Sequence, residues 1–287
     1  MEDQMKEILE FMRHENTEVR KKALEAVFAY SQVPEVITFI ETSDMLKAIK
    51  ACLFDLKLVH SALLVLLNIS SNKKIVASME ENKIMDPLLQ IIFNVMKTLN
   101  KEDIALKKHL LVEVGGTRIG EQGEIIREVQ VNKGMKLSED EVVTVLNIEN
   151  LRLSLIIITN MCANSLNSKR QFLQMDSEEK IKGTNFIVLL GWFLVDEYEL
   201  LFENFASLLN CLTEEDSLKE FLLSPTIRLE TRIKRYLIHS NHLIRGSVLQ
   251  CMRHLIFSHE NEHLTERFCK FEPDEVHVSS FEARSSS

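Results

Sequence analysis

The sequence predicts an all-α protein built from helical repeats. An apolar helical run ending in a marker residue recurs along the chain, and each time a short polar stretch and a second apolar segment follow it. The markers lie at Ala29, Asn68, Asn160, Asn210 and His254. Their steps are 39, 92, 50 and 44 residues. Periods of roughly 40 to 47 residues are typical of armadillo and HEAT repeats, so the predicted architecture is a right-handed superhelical solenoid.

The 92-residue step between Asn68 and Asn160 is about twice an ordinary one. The segment IALKKHLL (104–111) could hold a missing copy of the marker, which would give a total of five or six repeats.

Helix starts are signalled along the first half of the chain. MKEILEFM places apolar residues on one stripe, as an amphipathic first helix requires. Asn16 or Thr17 can cap the next helix, and Thr42 or Ser43 the one that begins at DMLKAIKACLF. Asp86-Pro87 suits the first turn of LLQIIFNVM. The second apolar segments that complete the repeats are marked by Ile37, Ile75, Phe172, Phe221 and Leu264.

Composition supports one helical repeat domain over 1–270. The chain has 287 residues, of which 45% are hydrophobic and only 4 are proline, so it can bury a full core. No apolar stretch is long enough to span a membrane, and the charged start MEDQMKEIL excludes a signal peptide. The five cysteines are odd in number and lie mostly in apolar runs, which predicts reduced, buried thiols in the cytosol or nucleus, and of these we expect a cytoplasmic protein.

Two segments depart from the helical pattern. Residues 115–134 hold 5 of the 8 glycines, and we expect a polar insertion between repeats at about 115–140, with a short hairpin at IIREVQV as the alternative. The tail 271–287 loses helical periodicity and ends in serines, so we expect it to be disordered.

No motif in the chain predicts catalysis, a cofactor or a metal. The glycine spacing in GGTRIGEQG lacks the Lys-Ser/Thr of a phosphate loop, and Glu124 follows its last glycine. Cys251, His254, His259 and His263 come nearest to a metal-binding pattern. Zinc sites usually contain tighter paired ligands, so a buried thiol with surface or packing histidines is the favoured interpretation.

Two interpretations of the marker asparagines stay open. Asn68, Asn160 and Asn210 could form a ladder along a concave groove that hydrogen-bonds a partner. Ala29 and His254 interrupt this ladder, and His254 is itself a candidate partner-binding residue. Alternatively, each asparagine braces its own repeat internally. The single tryptophan, Trp192, excludes the tryptophan–asparagine array of nuclear-import adaptors. A basic cluster that includes Arg235 and Arg245 is a further candidate partner-binding surface.

Two stretches resemble a known family. LEFMRHENTEVRKKALEAVFAYS is similar to the first repeat of the eukaryotic armadillo-type adaptors that assist folding of translation elongation factor 2. Residues 208–264 resemble the family's segment of the form LSNLSxxxxGRxFLL and its stretch ending RRGGVxGTxRNCCF. The matching positions are Asn210, Phe221, Leu222, Leu223, Arg245, Gly246, Cys251, Phe257 and His259. One cysteine and one glycine of the family's pairs are absent, which suits a divergent or C-terminally shortened member.

The resemblance implies a non-catalytic, cytosolic folding adaptor. Its expected partners are newly made translation elongation factor 2 and the cytosolic chaperonin, and we expect a monomer that binds neither nucleic acid nor membrane. A net charge of −9 is consistent with a basic client. The alternative is a generic armadillo scaffold for transport or signalling that recognises a linear peptide.

Overall fold

The computed structural model describes residues 2–98, 118–119, 125–126, 139–175, 184–193 and 199–257. Apart from one pair of two-residue strands, the regular structure of these residues is helical. The first helices are α1 (Glu2–Met12), α2 (Thr17–Tyr30), α3 (Pro34–Thr42), α4 (Met45–Cys52), α5 (Val59–Ser70), α6 (Lys73–Glu81) and α7 (Met85–Thr98). They are followed by α8 (Glu139–Asn164), α9 (Leu166–Phe172), α10 (Thr184–Phe193), α11 (Glu199–Thr213), α12 (Asp216–Leu222), α13 (Leu229–Ile233), a 3₁₀ turn (Lys234–Ile238) and α14 (His242–Ile256).

Polar caps set several helix starts. The side chain of Asn16 accepts a hydrogen bond from the Glu18 backbone N–H at 2.9 Å, and Asn72 and Asn241 cap α6 and α14 in the same way. These side chains satisfy amides that have no partner within the helix. The predicted cap at Asn16 is therefore confirmed.

The start of α4 differs slightly from the prediction. Asp44 occupies the cap position, while the Ser43 hydroxyl accepts from the Met45 backbone N–H at 3.2 Å. Pro87 lies in the first turn of α7, as predicted, where its missing N–H leaves no helical hydrogen bond unmade.

The helices follow a repeating order of two shorter helices and a third, longer one. We call the third helix of each group, together with α2, an inner helix. After the pair α1–α2, the groups are α3–α4–α5, α6–α7–α8, α9–α10–α11 and α12–α13–α14. The last helix of each group contacts the last helix of the group before it. A single apolar core cluster runs from Met5 to Leu255 through all the groups.

The 92-residue step between markers is one repeat and not two, which corrects the expectation of a missing copy. Helix α8, which carries Asn160, packs directly on α5, which carries Asn68. No further inner helix can stand between them. The extra length of this repeat falls between α7 and α8, and the segment 104–111 lies outside the described residues.

The predicted tail 271–287 lies outside the described residues, and so does most of the predicted insertion. Within residues 115–134 the structure describes only β1 (Arg118–Ile119) and β2 (Ile125–Ile126), which pair antiparallel with Ile119 opposite Ile125.

Burial agrees with the predicted second apolar segments. Ile75 and Phe172 are fully buried, and Ile37 and Phe221 pack partly buried against the core, while Leu264 lies outside the described residues. None of the helices that the structure describes is both long and apolar enough to cross a membrane.

Candidate functional site: the inner helices and their polar contacts

Five inner helices form a continuous row. Helix α2 contacts α5, α5 contacts α8, α8 contacts α11, and α11 contacts α14. All five marker positions lie on these helices. The markers thus lie on helices that contact one another in sequence order, and their side chains define the candidate site.

Asn68 makes a hydrogen bond to the preceding inner helix. Its amide Nδ2 donates to the Ser31 hydroxyl at 3.1 Å, and that hydroxyl donates in turn to the Phe28 carbonyl at 2.7 Å. The backbone carbonyl oxygen of Asn68 accepts a hydrogen bond from Gln32 Nε2 at 3.1 Å. Because Ser31 is fully buried, its hydroxyl would be costly to leave without partners.

Asn160 repeats the same contact one step later. Its Nδ2 donates to the Ser70 hydroxyl at 2.9 Å, and Ser70 donates to the Leu67 carbonyl at 2.9 Å. Ser70 is also fully buried. The two asparagines thus join α2 to α5 and α5 to α8 through one type of contact, which we call the inter-repeat Asn–Ser bridge.

The last step uses different chemistry at the same place. The Cys251 thiol of α14 donates to Asn210 Oδ1 at 3.0 Å. His254 Nδ1 lies 3.4 Å from the buried Thr213 hydroxyl, which donates to the Leu209 carbonyl at 2.9 Å. Thr213 and His254 therefore correspond to the serine and the asparagine of the earlier bridges.

The receiving hydroxyls were missed at the sequence level. Ser31, Ser70 and Thr213 follow the markers Ala29, Asn68 and Asn210 by two, two and three residues. A small hydroxyl residue at this offset was a usable signal. It acquires meaning only when the next marker is known to lie against it, which depends on the stacking of helices far apart in the chain.

A second polar contact joins α5 and α8 nearer their other ends. His60 Nδ1 lies 2.9 Å from Oδ1 of Asn150, a buried residue. Asn150 also accepts, through its backbone carbonyl, from the Ser154 hydroxyl at 2.8 Å. This contact holds the two helices together at a distance from the Asn–Ser bridge.

The predicted basic candidates have internal partners. The Arg235 guanidinium lies over the Tyr236 ring, 4.9 Å from its centroid, and donates to the Tyr236 hydroxyl at 2.9 Å. Arg245 Nη1 donates to the carbonyl oxygens of His239 and Ser240. Arg235 remains exposed, so it can still contact a partner, whereas Arg245 braces the turn that leads into α14.

The residues of the weak metal pattern are only partly described, since His259 and His263 lie outside the described residues. Cys251 is fully buried, and burial raises the pKa of its thiol to about 12, although a hydrogen bond with Thr213 offsets part of this effect. The thiolate that a metal requires is therefore disfavoured. Among the described residues no group of three or more metal-ligating side chains comes together.

An uncharged pocket of about 330 Å³ is lined by residues of α5, α7 and α8 and of the turn after α4. Its apolar wall includes Phe54, Leu56 and Ile91, and its polar groups are amides and a hydroxyl, among them Gln90 and Asn94. None of the residues lining it carries a group that could act as an acid or base near neutral pH.

Comparison with known proteins finds distant likeness among solved structures alone. No family model and no curated protein matches the chain. Among solved structures, the chain is similar to an engineered protein whose crystal structure was determined as a Northeast Structural Genomics Consortium target. The two share 12% sequence identity over 88% of this chain and 96% of that chain, with a TM-score of 0.47. A likeness at this level assigns neither family nor function.

Proposed function

We propose that the protein is a non-catalytic adaptor built on an armadillo-type, right-handed helical solenoid of five repeats. The observation that supports this most directly is the row of inner helices, each packed on the one before it. Such a row exposes a long surface to a partner, as helical-repeat proteins do.

The proposed client is newly made translation elongation factor 2, which the adaptor delivers to the cytosolic chaperonin. This assignment rests on the resemblance of residues 208–264 to the adaptor family. Leu222, Leu223 and Cys251 are buried, so their match supports shared repeat packing. Gly246 and Phe257 are exposed, so their match lies on a surface that a partner can reach.

The charge of the chain suits a basic client. A net charge of −9 favours association with basic surfaces and disfavours nucleic acid. The affinity for the client should consequently fall as salt is raised, because screening shortens the range of exposed charges.

The alternative is a scaffold that recognises a linear peptide through its inner asparagines. Readers of extended peptides need amide groups that are available to the peptide backbone. Asn68 and Asn160 direct their Nδ2 groups to serine hydroxyls of the neighbouring repeat, which weakens this alternative.

Affinity capture and a direct binding titration test the proposal together. Tagged full-length protein should capture elongation factor 2 and chaperonin subunits from a eukaryotic lysate, as identified by mass spectrometry. Purified elongation factor 2 should bind it directly, with affinity that weakens by tenfold or more between about 50 and about 300 mM salt. A chain that captures neither protein, or that binds the purified factor no better than an unrelated acidic protein, would refute the assignment of the client.

A further inference from the structure

The last described helix, α14, has one face that no described element covers. Its buried residues Ile244, Val248, Cys251 and Leu255 recur every three or four positions and lie on the side that packs toward α11. The other side exposes a second stripe with the same spacing. Its members are His242, Leu243, Gly246, Leu249, Gln250, Arg253 and Phe257, which we call the α14 outer face.

This face is unusually apolar for an exposed surface. Leu249 is 62% exposed and Phe257 is 73% exposed, and Leu243 is exposed as well. A Cβ atom built on Gly246, at the middle of the stripe, would meet no atom within 4 Å. Large apolar side chains aligned along one helix face are the pattern to which a second amphipathic helix binds.

The segment 226–257, which contains α14, is basic, whereas the chain as a whole is acidic. Residues 226–257 hold six arginine and lysine residues and one carboxylate, that of Glu230, which is buried. Arg228, Arg235 and Arg253 are exposed, and Arg253 lies on the outer face itself. The chain as a whole carries a net charge of −9. This repeat is therefore basic within an acidic protein.

We propose that the α14 outer face binds an acidic amphipathic helix of a partner protein. Leu243, Leu249 and Phe257 receive the apolar stripe of that helix, and its carboxylates pair with Arg253 and the neighbouring arginines. Because the charge of this surface opposes that of the rest of the chain, the acidic helix belongs to a partner different from a basic client. An adaptor that passes a client onward needs two such surfaces. The inference does not depend on the identity of that client.

A labelled synthetic peptide tests the proposal. The probe is an 18-residue helix-forming peptide with leucines along one face and glutamates elsewhere, and fluorescence anisotropy measures its binding to the full chain. The control peptides are a scrambled sequence of identical composition and a version in which lysine replaces each glutamate. We expect micromolar binding of the acidic helix, and binding at least tenfold weaker for either control.

Two variants locate the binding site. Phe257→Asp should weaken binding of the acidic peptide by tenfold or more, because it removes apolar contact and adds a like charge. Phe54→Asp is the matched control, since Phe54 is 62% exposed on a different repeat, and it should leave binding unchanged. Arg253→Glu should weaken binding of the acidic peptide and strengthen binding of its lysine counterpart. Thermal melts of all three variants verify that each is folded.

Several results would overturn the proposal. If all three peptides bound equally well, or if Phe257→Asp and Phe54→Asp weakened binding of the acidic peptide equally, the α14 outer face would not be its binding site. Binding of the full chain to anionic vesicles that Phe257→Asp abolishes would assign the surface to a membrane. A dimer in sedimentation that the same variant dissociates would assign it to a second copy. If the thiol of a Leu249→Cys variant were protected from alkylation in the free chain, another part of the same chain would cover the α14 outer face.

Discussion

At Asn68 and Asn160, a single side-chain amide connects two helices that are far apart in the sequence. Each donates a hydrogen bond to a fully buried serine hydroxyl, and that hydroxyl donates in turn to a backbone carbonyl three residues before it. The apolar run around each asparagine therefore tolerates a polar residue, because the amide is bonded where the next repeat packs. These two side chains therefore bond to the neighbouring helix group, where the sequence interpretation had them brace their own repeat, and a role in partner binding stays a prediction.

Replacing Asn68 by alanine should destabilise the protein by about 1 to 3 kcal/mol. The Ser31 hydroxyl loses its donor, and α5 loses this hydrogen bond to the residue that caps the end of α2. Urea denaturation measures the change. Asn94→Ala is the matched control: Asn94 is exposed, so its change in unfolding free energy should stay within about 0.5 kcal/mol. If Asn68→Ala kept full stability and lost client binding, Asn68 would belong to the partner surface instead.

Cys251 should be unreactive in the native protein. Burial raises the pKa of its thiol from 9.0 to about 12, so at pH 8 the folded state holds almost no thiolate. The unfolded state ionises at the lower pKa, so this group favours folding below pH 9 and loses that contribution as the pH rises toward 12. Alkylation followed by peptide mapping should modify Cys251 in urea but not in buffer. Rapid native labelling at pH 8 would contradict the buried position.

At the scale of elements, α6 and α9 are also joined by hydrogen bonds between side chains. Glu80 of α6 accepts from the Ser168 hydroxyl at 2.5 Å and from Asn167 Nδ2 at 3.0 Å, both in α9. Burial alone would raise the pKa of the Glu80 carboxyl, but these hydrogen bonds outweigh it and lower the pKa below 4.5. The Asn–Ser bridges join α2 to α5 and α5 to α8, and this contact joins the next pair of groups, α6–α8 and α9–α11.

The contribution of Glu80 should depend on pH. Since its folded pKa is lowered, its stabilisation is complete above 4.5 and is lost as the pH falls through the folded pKa. Glu80→Gln should therefore melt several degrees below the wild type at pH 7, and the difference should shrink in acid. Glu81→Gln, an exposed neighbour, is the control and should show no such trend. If the difference in melting temperature between the wild type and Glu80→Gln were the same at all pH values, ionisation of Glu80 would not be the cause of that difference.

At the scale of the whole molecule, the row of inner helices does not pass through the segment between α7 and α8. Helix α8 packs directly on both α5 and α7, so the row is complete without residues of the predicted insertion. In helical-repeat proteins, packing between neighbours makes the stability of the whole protein approximately a sum over adjacent contacts.

Deleting residues 116–133 should therefore leave helical content and the sharpness of melting nearly unchanged. Shortening a long connection changes its closure entropy only slightly. Circular dichroism during a thermal ramp makes the measurement, with Phe205→Ala as a positive control. Phe205 is fully buried and contacts the rings of Phe186 and Phe202, so its loss should cost about 3 to 5 kcal/mol. A fall of ten or more degrees on deletion would show that the segment packs into the core.

The repeating apolar pattern determined the helical class, the equivalence of the five markers and several helix starts, because each of these depends on residues close together in the chain. Asn16 and Pro87 act through hydrogen bonds within a few residues, which a sequence displays directly. Tertiary structure decided that the 92-residue step is one repeat, that Ser31 and Ser70 receive the asparagines, and that the α14 outer face is left uncovered. Each of these depends on which distant helices touch, and that is settled by the packing of complementary apolar faces rather than by local residue order.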